Sequence, residues 1–180
     1  MKNLLFLLVS FVAMTLMGHT QDLYSIDLIG IAGDKINMNN YKGRKVLIIV
    51  LPHEAKNVSA LDDLASFKTR YGSKIAIIGV PAIDEGYKDE DARKLEKLYK
   101  TDKGIDMVIT GGLNVKRRSS ATQADLFRWL TSKDENSHFD QDVEGVGHKF
   151  FINEKGKLYA VLGPTAWLSA RMVEKIVNQP

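Results

Sequence analysis

Five side chains in this sequence have the chemistry of a reactive or ligand-holding site: His53, Glu54, Asp84, Glu85 and His148. Imidazole nitrogens and carboxylate oxygens together suit a divalent transition metal. His53 and Glu54 follow one apolar run, Asp84 and Glu85 follow a second, and His148 precedes a third. No local pair of the His-x-x-x-His kind fixes a ligand geometry. His53, Glu54, Asp84 and His148 are therefore a candidate metal set only if the fold gathers them, and solvated loop residues are the competing reading. Thiol chemistry is closed to this chain, because its 180 residues include no cysteine. That removes thiolate catalysis and disulfide bridges alike. Ser119, Ser120, His138 and Asp140 contain the residue types of a hydrolase, but no Gly-x-Ser-x-Gly elbow presents a serine. They read as surface. Gly111-Gly112 lacks the lysine and hydroxyl residue of a phosphate-binding loop and reads as a turn. Met38, Met107 and Met172 are too dispersed for a copper-binding cluster.

The elements that must position these residues follow from hydrophobic periodicity. Lys45-Val46-Leu47-Ile48-Ile49-Val50-Leu51 is a continuous β-branched run, as expected for a strand buried on both faces, and Pro52 ends it. Lys74 to Val80 is a second such strand, ended by Pro81. Between them Leu61, Leu64, Ala65, Phe67 and Tyr71 fall at helical spacing over Val58 to Tyr71. Ser59 is the predicted N-cap, Asp62 and Asp63 fall in the first turn, and Gly72 closes the helix. Leu23 to Ile31 and Ile36 to Met38 predict a short hairpin. A charged helix is expected over Asp89 to Lys103, a short strand over Ile105 to Ile109, and a helix over Thr122 to Ser132. Lys149 to Asn153 and Leu158 to Leu162 predict a hairpin across Glu154-Lys155-Gly156. A last amphipathic helix spans about Ser169 to Val177. Trp129 falls on the apolar face of its helix and is predicted core. Trp167 either packs over the last helix or stays exposed as an anchor, with core packing expected.

Composition is that of an ordinary globular domain, 44% hydrophobic and 26% charged. A formal charge of +3 makes no case for nucleic acid. Residues 1–20 read as a signal peptide: Lys2 gives the positive start, Leu4 to Met17 is apolar, and Gly18 and Thr20 suit a cleavage site. The run is short for a membrane span. Residues 21–180 then form a single domain, exported to the periplasm or secreted, with no membrane attachment after cleavage. The lack of a cysteine at the cleavage site excludes a bacterial lipoprotein.

The order and wording of these elements resemble the glutathione peroxidase family. The resemblance spans roughly Leu23 to Val177. It rests on Tyr41-Lys42-Gly43-Arg44-Lys45-Val46-Leu47-Ile48, Leu61 to Tyr71, Ile77-Ile78-Gly79-Val80-Pro81, Leu113-Asn114-Val115, Lys149-Phe150-Phe151-Ile152-Asn153-Glu154-Lys155-Gly156-Lys157, and Gly163-Pro164-Thr165. It implies an α/β, thioredoxin-like three-layer sandwich, a central mixed sheet with helices on both faces. It also implies a peroxidatic residue after the first buried strand, where Glu54, Ala55 and Lys56 stand instead. By the same resemblance Asp84 takes the place of the family's glutamine, Gly145 of its tryptophan and Val146 of its asparagine. With all four positions changed, the expectation is an exported pseudoenzyme that binds a protein or small-molecule partner, with no cofactor. The alternatives are a thiol-independent peroxidase or oxidative-stress enzyme, and a metal-binding protein built on His53, Glu54, Asp84 and His148.

Overall fold

The computed structural model describes residues 22–54, 57–118 and 121–179. The predicted leader lies outside these residues, as do Ala55, Lys56, Ser119 and Ser120. Among the described residues no helix is long and apolar enough to cross a membrane.

The β-branched run over Lys45–Val50 (β3) is buried at every position and is the middle strand of a five-stranded sheet. Its neighbour on one side is β4 (Ile75–Val80), parallel and paired from Lys45–Ile75 to Val50–Val80. Beyond β4 lies the two-residue strand β5 (Val108–Ile109), also parallel. On the other side β6 (Lys149–Ile152) runs antiparallel, with Ile49 opposite Lys149, and β7 (Leu158–Leu162) completes the predicted hairpin. The strand order is β5-β4-β3-β6-β7.

Side-chain alternation along β3 and β6 divides the core in two. Val46, Ile48, Val50, Phe150 and Ile152 point to one face, where Phe127 and Leu130 of α3 (Asp125–Thr131) cover them. Leu47, Ile49 and Phe151 point to the other, beneath α1 (Val58–Tyr71) and α5 (Arg171–Asn178). Trp129 belongs to the first core, as its spacing predicts. Leu61, Leu64, Phe67 and Tyr71 form the buried stripe of α1. Each fully buried side chain of this size contributes about 1.5–3 kcal/mol. Helices therefore cover both faces of a mixed sheet, as expected.

Several local expectations differ from the structure. The N-cap of α1 is Asn57 rather than Ser59, so Asp62 and Asp63 lie beyond the first turn. Leu23–Ser25 is a 3-10 turn, because the Asp22 carboxylate accepts the Tyr24 N–H and pulls the chain out of an extended path. The hairpin is shorter than predicted and pairs Leu28–Ile29 (β1) with Lys35–Ile36 (β2). It also touches the main sheet through a Gly30–Thr110 bridge. The charged helix is broken into a 3-10 turn (Asp89–Asp91), a short α2 (Ala92–Glu96) and a π-helical segment (Lys97–Asp102). The helix around Trp129 starts three residues later than predicted, and a separate α4 (Lys133–Asn136) follows it.

Candidate functional site

Three loops meet at the end of the sheet where β3 and β4 stop and β6 starts. The first leaves β3 through Leu51 and Pro52. Its carbonyl at Pro52 accepts a 2.7 Å hydrogen bond from the buried Tyr99 hydroxyl, which anchors the loop from the π-helical segment. Burial drives the Tyr99 hydroxyl far above its ordinary pKa, so it acts as a permanent donor. His53 follows, half-buried, with its Nδ1 enclosed and without a hydrogen-bond partner. Its ring flanks Gly86 of the second loop, with Nε2 3.8 Å from where a β-carbon on Gly86 would sit. Glu54 is exposed.

Asp84, in the second loop, is engaged by the backbone. Its carboxylate accepts the Val115 N–H at 3.0 Å and the Lys116 N–H at 2.7 Å, which pins the Ile83–Glu85 turn to the chain beyond β5. The neighbouring Glu85 pairs with the Lys116 ammonium, and this hydrogen bond holds the Lys116 pKa above its ordinary value. Glu85 also lies against Gly145 of the third loop, its Oε2 3.5 Å from the position of a β-carbon there. Gly145 has φ +143, a backbone region that side chains rarely adopt. A tryptophan at this position would thus require a new backbone conformation as well as a displaced Glu85.

His148 is fully enclosed, 0% exposed, and its ring stacks on Phe150 at 4.8 Å between centroids. Its Nδ1 accepts the Glu144 N–H at 3.0 Å, so the neutral ring carries its proton on Nε2, which is buried without a partner. Burial lowers the His148 pKa, partly opposed by Glu144. Because alternate residues point to opposite faces of a strand, His148 faces the Phe150 side of the sheet and Lys149 the α1 side.

The loops do converge, through His53 with Gly86 and Glu85 with Gly145, but the four proposed metal ligands are not assembled. Asp84 is committed to backbone amides and His148 to the core. Among the described residues no group of three or more His, Asp or Glu side chains is placed to hold a metal ion. The hydrolase-like residues are also dispersed in role. Asp140 pairs with Arg117, and the His138 Nδ1 donates to the Asn136 carbonyl at 3.0 Å.

What the loops enclose instead is a pocket of about 170 Å³ on the α1 side. Pro52 and Asn57 supply its wall from the first loop, Val146 and Gly147 from the third, and Trp167 from the β7–α5 connection. Contrary to the expected core packing, Trp167 is 51% exposed. At the base lies Lys149, only 4% exposed. Its ammonium donates to the Gly147 carbonyl. Desolvation pushes its pKa down to about 8, against the opposing pull of Asp63 on α1. Asp63 meanwhile accepts the Leu168 N–H at 2.6 Å and the Ser169 N–H at 3.0 Å, which hold the Trp167 turn over the pocket. Neither Lys149 nor Asp63 stands out in the sequence. Lys149 is read only as the first residue of a strand, and Asp63 only as an acidic residue in the first turn of a helix.

No family model matches the chain, and no curated protein matches its sequence. Solved structures do match. Trgpx in its apo form superposes with a TM-score of 0.63 at 17% identity, over 89% of this chain and 98% of that one. T. cruzi GPX1 gives a TM-score of 0.63 at 11% identity, over 87% and 97% of the two chains. A thiol:disulfide interchange protein of the thioredoxin family, from Chlorobium tepidum TLS, gives 0.57 at 14% identity, over 85% and 93%.

The fold is thioredoxin-like.

Its arrangement is that of the glutathione-peroxidase-like neighbours, carried by a chain without cysteine. At these identities the likeness is one of fold, and fold does not carry activity with it. In this thioredoxin-like protein, Val146 lines the pocket together with Pro52, and Gly145 lies against Glu85. Glu54 follows β3 in the first loop, and the Asp84 carboxylate clamps the second loop through the Val115 and Lys116 N–H groups.

Proposed function

We propose that this protein is an exported, non-catalytic member of the thioredoxin-like fold that binds a small molecule or protein partner at the end of the sheet where peroxidases keep their nucleophile. One observation carries the reading: this end holds an apolar pocket with a buried amine at its base and an exposed tryptophan at its rim, in a chain with no thiol. Peroxide reduction through a side chain needs a soft nucleophile that leaves as an oxidised, recyclable species. Carboxylate, ammonium and imidazole groups do not cycle that way. Preformed pockets lined by apolar side chains with one or two polar groups are what binding sites use. Export is supported by the charged and apolar pattern of residues 1–20.

The test is peroxide consumption by the purified protein, with glutathione or a dithiol as reductant, before and after treatment with a chelator. The expected result is consumption at the rate of the buffer blank. Turnover that survives chelation would overturn the proposal in favour of an oxidative-defence enzyme.

A further inference from the structure

The charge at the base of the pocket is incomplete. An ammonium taken out of water is unfavourable unless it is paired and its donors are satisfied. Lys149 is 4% exposed and donates to one neutral carbonyl, that of Gly147. Among the described residues no carboxylate forms an ion pair with it. Asp63 is the other charged group among the described lining residues, and both of its oxygens already accept backbone N–H groups. A protonated lysine has three donors, so Lys149 retains hydrogen-bonding capacity beyond Gly147. The surrounding walls are mostly hydrocarbon, from Ile49, Pro52, Leu64, Val146 and Pro164, with Asn57 and Thr165 as the uncharged polar side chains.

We propose that this pocket binds a small monocarboxylate, with the acid group on the Lys149 amine and the hydrocarbon against Ile49, Leu64 and the Trp167 ring. This deepens the binding reading above and rests on it. Asp63 acts on the amine only through its field, so an anionic oxygen supplies the directly bonded partner that the amine lacks, and a charge-assisted hydrogen bond of this kind is stronger than a neutral one. Asp63 selects for a single negative charge, because a dianion would meet its carboxylate as well as the amine. A cationic ligand would meet the lysine, and a neutral alcohol would leave the buried charge without its counter-ion. The small volume selects for an acid the size of hexanoate or benzoate rather than a drug-sized ligand. Trp167 gives the hydrocarbon a flat apolar surface at the opening.

Titration of the purified protein with hexanoate, followed by calorimetry and by tryptophan fluorescence, tests this site. We expect saturable binding. Hexanol and hexylamine should bind at least about tenfold more weakly, consistent with the strength of a charged hydrogen bond. Lys149→Met should reduce hexanoate affinity by a similar factor, and Trp167→Ala should weaken it while leaving cooperative melting intact. A pH series on the unmodified protein gives a readout that does not depend on any variant folding. The lysine is pushed down to about 8 in the free protein. Affinity should therefore be level near neutrality and fall about tenfold per pH unit above that value, until the complex itself loses the proton. Equal binding of hexanol, full affinity in Lys149→Met, or a flat profile through pH 9.5 would each overturn the assignment. Absence of hexanoate binding would overturn it too, and would leave the non-catalytic reading standing; peroxide turnover would strike that reading and not the titration.

Discussion

The Lys45 ammonium donates to the Val177 carbonyl at 2.9 Å, joining the first residue of the central strand to the last turn of the C-terminal helix. Lys45 also bonds the Gln179 carbonyl and lies 3.6 Å from Glu154. It is 6% exposed, so the charge is inside the protein and offsets the negative end of the α5 dipole. Lys45→Met should leave these carbonyls without a donor and cost about 1–3 kcal/mol of stability. Urea unfolding checks this, and a midpoint equal to that of the unmodified protein would contradict it. Glu154→Gln should change stability little, because its side chain is 47% exposed and surface pairs contribute about 0–1 kcal/mol.

Asp63→Asn should act at two places. An amide NH2, a donor, replaces one of the two carboxylate acceptors, so one of the Leu168 and Ser169 N–H groups loses its partner, at a cost of about 1–2 kcal/mol. Asp63 also draws the Lys149 pKa upward, so its neutralisation should lower that pKa further below about 8. NMR titration of the Lys149 side chain measures the second effect. An unchanged or raised value would show that Asp63 does not sense the amine.

Lys149 gives stability a definite pH dependence. Its ordinary value of 10.5 applies to the unfolded chain and about 8 to the folded protein. Between these two values the unfolded state binds more protons, so stability rises with pH. Below about 8 the lysine is charged in both states and its burial penalty is fully present. The unmodified protein should therefore gain on Lys149→Met by about 3 kcal/mol from pH 8 to 10.5. Tyr159, raised to about 12 by burial, contributes the opposite trend above pH 10 in both proteins and cancels in the comparison. Parallel stability curves would exclude an amine desolvated in the folded state.

His148 makes the corresponding prediction in acid. Its folded pKa lies below the ordinary 6.5, so its contribution is present above 6.5 and is lost as pH falls through the folded value. His148→Phe keeps a ring on Phe150 and removes the titrating group. The variant should show a shallower loss of stability between pH 6.5 and 4 in paired melting curves; an identical slope would place the acid sensitivity elsewhere.

Asp84→Ala tests whether this carboxylate is a clamp. It should cost about 1–2 kcal/mol and speed amide exchange at Val115 and Lys116, the two N–H groups it accepts. Unchanged exchange at those amides would mean that other contacts hold the two loops together.

The sheet was legible because β3 and β4 are buried on both faces, and continuous runs such as Val46-Leu47-Ile48-Ile49-Val50 have few other uses in a domain of this size. The hairpin of β6 and β7 was legible from its Glu154-Lys155-Gly156 turn. Where competing local bonds decide, the pattern failed. Asp22 turns Leu23–Ser25 into a 3-10 segment, and Asn57 rather than Ser59 begins α1. The site was harder to read. His53 and His148 attract attention by residue type, yet one ring is packed into the core and the carboxylate expected beside it binds amides. Lys149 looks like an ordinary strand end, and becomes a pocket base only when α1 and the Trp167 turn close over it. Burial of that kind comes from contacts distant in sequence, and no spacing rule within β6 encodes it.

The small β1–β2 hairpin affects how the protein meets other chains. Beyond β5 the sheet's hydrogen-bonding edge is taken up by Gly30 and its neighbours: the Ile31 N–H donates to Ile109 at 2.9 Å, and the Gly111 N–H to Ile29 at 2.8 Å. An open strand edge is a template for aggregation and strand exchange. On this side the hairpin acts as a plug, which leaves β7, at the opposite border, as the edge strand of the five with no further strand paired beyond it among the described residues.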